Sequence, residues 1–250
     1  QLGGLASIIS NIPDKTRMKD FPKYLIHRAS KLHNLFIFKN TEANVDLVKN
    51  LNPDIIVNAT GSSPTLPPIT GLHDLVDKEG TRVATVLKMI ERMDTYPEDM
   101  KGQKVAVVGG GAVGLDVMEY FSEIGADVTM IEMLPIIGNG LDPVTKCDTQ
   151  TKMKKYNVKQ MTKTALQEVH NDKFVVKNPE GEIEDVPFDY GFICLGMRAS
   201  TPVLKDLEEA YADTNVEVYN IGDSKRARRI IEGTTEGRNV IEVLKRHDFM

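Results

Sequence analysis

Residues 104–133 read KVAVVGGGAVGLDVMEYFSEIGADVTMIEM, and the order of residue types in this stretch decides the fold. Val105 to Val108 are small or β-branched and apolar, as a buried parallel strand requires. They run directly into Gly109-Gly110-Gly111-Ala112-Val113-Gly114, a G-x-G-x-x-G loop. Val113, Val117, Phe121 and Ile124 then recur at helical spacing, and Gly125 stands where that helix should stop. A second strand, 127–131, ends on Glu132.

Strand, glycine loop, helix, strand and acid in that order describe a dinucleotide clamp. Gly109 permits the tight turn, Gly111 lets the backbone approach a pyrophosphate, and Gly114 lets helix and strand pack closely. The N–H groups of Ala112 and Val113 open the helix, where the positive dipole end suits phosphate. Glu132 lies 18 residues past Gly114, where a carboxylate accepts hydrogen bonds from the adenosine ribose. The same carboxylate would repel the extra phosphate of NADP, and no Arg or Lys occurs from Met133 to Val144. NAD(H) is therefore the expected ligand. A purely structural β-α-β turn is the alternative, because glycine clusters are common in loops.

Composition narrows the class. Two hundred and fifty residues allow one large or two modest domains, and 41% hydrophobic residues are ample for a core. A net charge of −5 gives no reason to expect nucleic acid; the short Lys225-Arg226-Ala227-Arg228-Arg229 run reads as a solvated helix start. No apolar run is long enough to span a membrane. Cys147 and Cys194 form neither a C-x-x-C nor a metal-ligand spacing, so a reducing, cytoplasmic location is expected, with no metal site. Cys194 reads as a small buried hydrophobe.

Outside the clamp, DFPKYLIHRASKLHN reads as a helix capped by Asp20, with Phe21, Tyr24, Leu25 and Leu32 on one face. LFIFKN reads as a strand, VDLVKNLNP as a helix and DIIVNATG as a buried strand. SSPTLPPITG, Ser62 to Gly71, is a rigid connector and the best candidate for a domain crossing. Further on, VKQMTKT, ALQEVHN, KFVVKN, IEDVPF, YGFICLG and VEVYNIGD read as strands, and a helix closes the chain. The alternation predicts an α/β protein with mainly parallel sheets. Asn58-Ala59-Thr60 matches a glycosylation sequon but sits at the end of a buried strand, and is set aside.

Three segments around the clamp carry a resemblance. DIIVNATGSSPTLPPITG resembles the A-T-G-x-x-P-x-x-P-x-x-x-G element of the pyridine nucleotide–disulfide oxidoreductase superfamily. GFICLGMRASTP is similar to its strand-then-Gly-x-Arg-Pro element, with Ala199 in place of the usual proline. VEVYNIGD resembles its terminal G-D motif. The resemblance implies a Rossmann-like NAD-binding domain, residues 75–204, inserted into an FAD-binding domain, residues 1–74 and 205–250. It places Thr60, Gly61 and Pro64 near the flavin and the crossover, Gly222 and Asp223 on the ribityl–pyrophosphate arm of FAD, and Gly196 in the cofactor-binding set. Asp116 matches a position where relatives often carry Glu near the nicotinamide; equally, it is an acid favoured by the helix dipole at the surface.

Within the superfamily, the short tail after Asp223 and the lack of C-x-x-C argue against the dimeric disulfide reductases and two-domain thioredoxin reductases. The chain looks most like the C-terminal part of old-yellow-enzyme-type NADH:flavin oxidoreductases related to 2-enoate and 2,4-dienoyl-CoA reductases. There, NADH passes hydride to FAD and electrons go on to an iron–sulfur cluster and FMN in an N-terminal barrel that holds the substrate. QLGG corresponds to a point after the first β-α-β unit of the family's FAD domain, so a longer polypeptide is expected, with FMN and 4Fe-4S in its N-terminal part. No catalytic side chain is assigned, since the cofactors carry the chemistry. Two rivals remain: a non-catalytic NAD(H)-binding sensor or subunit, and a small reductase completed by a partner chain. The strands beside an incomplete first sheet are expected either to stay partly exposed or to pair with another copy in a homo-oligomer.

Overall fold

The computed structural model describes residues 2–246; Gln1 and residues 247–250, within the expected flavin part, lie outside them. The chain forms two compact units. One comprises Ala6–Lys19 and Pro64–Gly196; the other comprises residues 2–5, Asp20–Ser63 and the chain from Met197 onward. These borders fall after Ser63 and Gly196 rather than at the expected limits of 74 and 205.

The unit that contains the clamp is built on a five-stranded parallel sheet. Its strand order is Val83–Thr85, Tyr190–Ile193, Lys104–Val108, Asp127–Ile131, Lys159–Met161. Alternation along the central strands sends side chains to two different cores. Val105, Val107, Val128, Met130 and Phe192 pack with Met89, Ile90, Val117, Met118 and Phe121 from the helices Val86–Glu91 and Ala112–Glu123. Ala106, Val108, Ile131 and Ile193 pack with Val169, Phe174, Val176 and Val186. The second group comes from the antiparallel strands Ala165–Val169, Lys173–Lys177 and Ile183–Pro187. Burial on both faces is why the clamp strand has no polar position after Lys104. Phe121 stacks on Phe192 with ring centroids 4.8 Å apart, and Tyr96 meets Phe121 edge-on at 5.1 Å. The fold class is the Rossmann-like α/β arrangement expected from the sequence.

In the other unit, Ile55–Asn58 pairs in parallel with Glu217–Asn220. Ile56 packs with Val203, Leu207 and Tyr211 around the helix Leu204–Tyr211. The chain leaves this unit after Ser63 and re-enters it at Met197, and here Ser62–Pro64 and Met197–Ala199 form a short two-stranded ladder. Helices Val45–Asn50 and Ile230–Arg246 stand where the periodicity puts them, whereas the helix expected over 20–34 spans only Asp20–Ala29, with Asp20 as its first helical residue rather than a cap outside it.

Two expectations fail here for one reason. LFIFKN forms no strand: Leu35 to Phe38 belong to no strand or bridge among the described residues, and Phe36 is 78% exposed. Phe21, Tyr24, Leu25 and Leu32 are likewise exposed, and Val57 of the strand read as buried is too. A strand exists as such only when another chain segment takes its N–H and C=O groups, which no local pattern guarantees.

The two kinds of aromatic position should respond differently to truncation. Phe121→Ala removes a fully buried ring and should cost about 3–5 kcal/mol. Phe36→Ala should stay within about 0.5 kcal/mol. Urea unfolding followed by circular dichroism measures both; an equally large loss at Phe36 would mean that its ring is covered in solution.

Candidate dinucleotide site

The clamp loop is shaped by two contacts that exclude side chains. Gly109 has φ of +106°, and a Cβ there would stand 2.2 Å from the Cys194 carbonyl oxygen. A Cβ on Gly114 would lie 1.9 Å from the Gly109 carbonyl oxygen, so helix and loop meet at a separation only glycine allows. Gly111 differs. Its φ is an ordinary −81°, and a Cβ there would meet no protein atom within 4 Å. Neither backbone strain nor protein packing accounts for glycine at 111, whereas a phosphate lying against the backbone would.

Gly109, Gly110, Gly111, Glu132 and Gly196 line one cleft of about 600 Å3. Pro67, Ile69, Leu134, Leu166 and Leu195 supply apolar surface around them. That is the size and mixture of a small-molecule site: apolar walls and a few convergent polar groups. The helix Ala112–Glu123 begins beside the loop with Gly111 at its N-cap and no side chain capping it. The first-turn N–H groups, including those of Ala112 and Val113, are donors of the kind that bind anions. Glu132 is buried, and both carboxylate oxygens accept backbone hydrogen bonds, Oε2 from Gly110 N–H at 2.6 Å and Oε1 from Leu134 N–H at 2.8 Å. An ionised carboxylate offers about four acceptor positions, so two remain for ribose hydroxyls.

Asp116 is not among the residues that line this cleft. It lies in a separate notch with Ile12, Pro13, Glu119 and Tyr120, and pairs with Lys15 at 3.0 Å. Burial raises its carboxyl above the usual range, against the pull of the Lys15 ammonium. Cys194 is buried, and desolvation pushes its thiol far up, consistent with a packing role.

The flavin-side candidates come together in the other unit. The pairing of Asn58 with Asn220 brings Thr60 and Gly61 alongside Gly222 and Asp223. Ser62 Oγ donates to Asp223 at 3.0 Å, and Arg228 N–H donates to the same carboxylate at 3.1 Å. Gly61 and Gly222 both have positive φ, and a Cβ on either would meet open space. Thr60 Oγ1 donates to the Ser200 carbonyl. A buried polar knot, not foreseen from the sequence, sits behind this turn: Asn58 donates to Asn220 at 2.9 Å, and Ser224 Oγ reaches Asn220, Ile221 and Asn58. It also explains why the sequon at Asn58 was a decoy: its side chain is 4% exposed. The only hint in the sequence was an amide in an otherwise apolar strand.

A family model described as pyridine nucleotide-disulphide oxidoreductase matches residues 30–225. The chain belongs to this family. An NADH oxidase from Thermoanaerobacter brockii is 27% identical over 96% of the chain, and a bilirubin reductase from Mediterraneibacter gnavus is 29% identical over 97%. The chain spans 35% of the length of each of these curated relatives. Among solved structures, a 2-naphthoyl-CoA reductase complex superposes with a TM-score of 0.77 at 26% identity, over 94% of this chain and 33% of that one. These relatives fit the enoate-reductase-like branch expected from the sequence. Among the described residues no helix is long and apolar enough to cross a membrane, and no group of three or more acids, histidines or cysteines is placed to hold a metal.

The clamp glycines at 114 and 111 can be told apart by stability alone. Gly114→Ala should cost about 1–3 kcal/mol or more, because its methyl group has no room. Gly111→Ala should change stability by less than about 1 kcal/mol. Thermal unfolding of the two variants checks this; a large loss at Gly111 would show that protein packing, not a ligand, demands the glycine.

Proposed function

We propose that the chain is the NADH- and FAD-binding part of a multidomain flavin oxidoreductase, and that the longer protein reduces an enoate-type substrate through an iron–sulfur and FMN-bearing barrel. The observation that carries the nucleotide half is Gly111: an ordinary backbone conformation with free space where a side chain would stand, beside an uncapped helix N-terminus. Family membership and the 35% span of relatives named NADH oxidase and bilirubin reductase support the rest.

In this reading each residue has a binding task. Gly111, Ala112 and Val113 present N–H groups to the pyrophosphate, Glu132 accepts from the ribose, and Leu134, Leu166 and Leu195 give the adenosine an apolar surface. Thr60, Gly61, Gly222 and Asp223 hold the flavin's ribityl and phosphate arm, with Asp223 oriented by Ser62 and Arg228. The cofactors supply the hydride and electron chemistry; the chain binds and orients them. The exposed ring and aliphatic side chains of Phe21, Tyr24, Leu25 and Phe36, with the two-stranded sheet of Ile55–Asn58 and Glu217–Asn220, suit cover by a further part of the longer polypeptide. A cytoplasmic location fits this reading.

Three outcomes follow. NADH should bind more tightly than NADPH by calorimetric titration, and the reverse order would contradict the assignment of Glu132. Gly111→Val should abolish NADH binding while its melting temperature stays within a few degrees; normal binding would make the loop a structural turn. Asp223→Ala should bind FAD about tenfold or more weaker than the parent in a titration, since a hydrogen bond to a charged group is worth about 1.5–3 kcal/mol. Equal FAD affinity in the two would contradict the role assigned to Asp223.

A further inference from the structure

Glu132 does more than face the cleft. Its carboxylate bonds Gly110 N–H and Leu134 N–H at 2.6 and 2.8 Å, and its backbone is fastened too, with its N–H to the Met161 carbonyl and its carbonyl to Thr164 N–H. Gly110 is tied from its other side, where its carbonyl accepts from Gly138 N–H at 2.7 Å. A Cβ on Gly110 would stand 3.1 Å from Glu132 Oε2 and 3.1 Å from Ile137 Cγ1, so the loop, the carboxylate and Ile137 fill one another's space. The middle of the glycine loop is thus held by a buried anion belonging to the protein itself, and charge-assisted bonds of this length are the strong ones.

We propose that Glu132 is a positioning residue of the glycine loop as well as the discriminating acid, so that nucleotide affinity and nucleotide choice rest on one carboxylate. The inference builds on the dinucleotide reading. It follows that removing the charge weakens NADH and NADPH together. A carboxylate that served only as ribose acceptor and phosphate repeller would instead yield a chain with a gain for NADPH. With Glu132 lost, Gly110 N–H is a buried donor without its acceptor, and the backbone beside Gly111 is free to leave the phosphate-binding conformation.

The test needs no ligand for its first half. Amide hydrogen exchange on the nucleotide-free chain should show Gly110 protected, and at least about tenfold faster exchange in Glu132→Ala, which removes both acceptor oxygens. Titration with NADH and NADPH should then show NADH about tenfold or more weaker in the variant and NADPH no tighter than in the parent. Gly110→Ala keeps the carboxylate but pushes it from its donor. It should lose NADH affinity similarly, and the double variant should be little worse than either single one, because both remove the same interaction. If Glu132→Ala does not fold, Gly110→Ala carries the test alone, and unchanged NADH affinity there overturns the proposal. Equal Gly110 exchange in parent and Glu132→Ala, or NADPH tightening as NADH weakens, also overturns it. A parent chain that binds neither nucleotide, with Gly110 protection still dependent on Glu132, would support the tie and refute the dinucleotide reading.

Discussion

The close approach of Gly114 to the Gly109 carbonyl is the constraint on which the clamp depends. Because a Cβ at 114 would stand 1.9 Å from that oxygen, only glycine lets the helix Ala112–Glu123 start so tightly against the end of the strand Lys104–Val108. That packing lets Val117 join the core and Phe121 stack on Phe192, and it fixes the helix N-terminus beside the mouth of the loop. One atom's absence therefore sets both the core and the direction in which the first-turn N–H groups are offered.

The clamp was legible in the sequence because every part of it is local: a run of apolar residues, three spaced glycines, a 3.6-residue period and an acid at the end of the next strand. Its apolar walls were not. Leu166 and Leu195 reach the cleft from strands and turns far along the chain, and nothing in their neighbours marks them as ligand-facing. Glu132 was legible as an acid at the right spacing, but its bonds to Gly110 and Leu134 depend on how loop and strand end meet in space. For Asp116 two readings stood open, and its partner Lys15 comes from Ala6–Lys19, a segment that joins this unit although it lies far from the clamp in sequence.

The second unit shows the opposite balance. Helices form in the segments where periodicity placed them, yet Phe21 and Leu25 on the apolar helix face, and the LFIFKN run read as a strand, are exposed. Hydrophobic pattern states what a segment would bury, and pairing partners decide whether it does. The G-D turn, by contrast, is well supported: Asp223 and Glu236 are each held by more than one bond, and the Arg228 guanidinium with the Gly222 N–H keeps the Glu236 carboxyl below the usual range. This turn is built around backbone and charge, and so it stands without the apolar cover its neighbours lack.

The claim that residues 109–114 bind a dinucleotide through backbone N–H groups is tested most directly by amide resonances. A proton–nitrogen correlation spectrum recorded during addition of NADH should show the largest shifts at Gly111, Ala112 and Val113, with smaller ones at Glu132, Leu134 and Gly196. Shifts scattered over the surface, or a loop whose amides do not move at saturating NADH, would contradict the account.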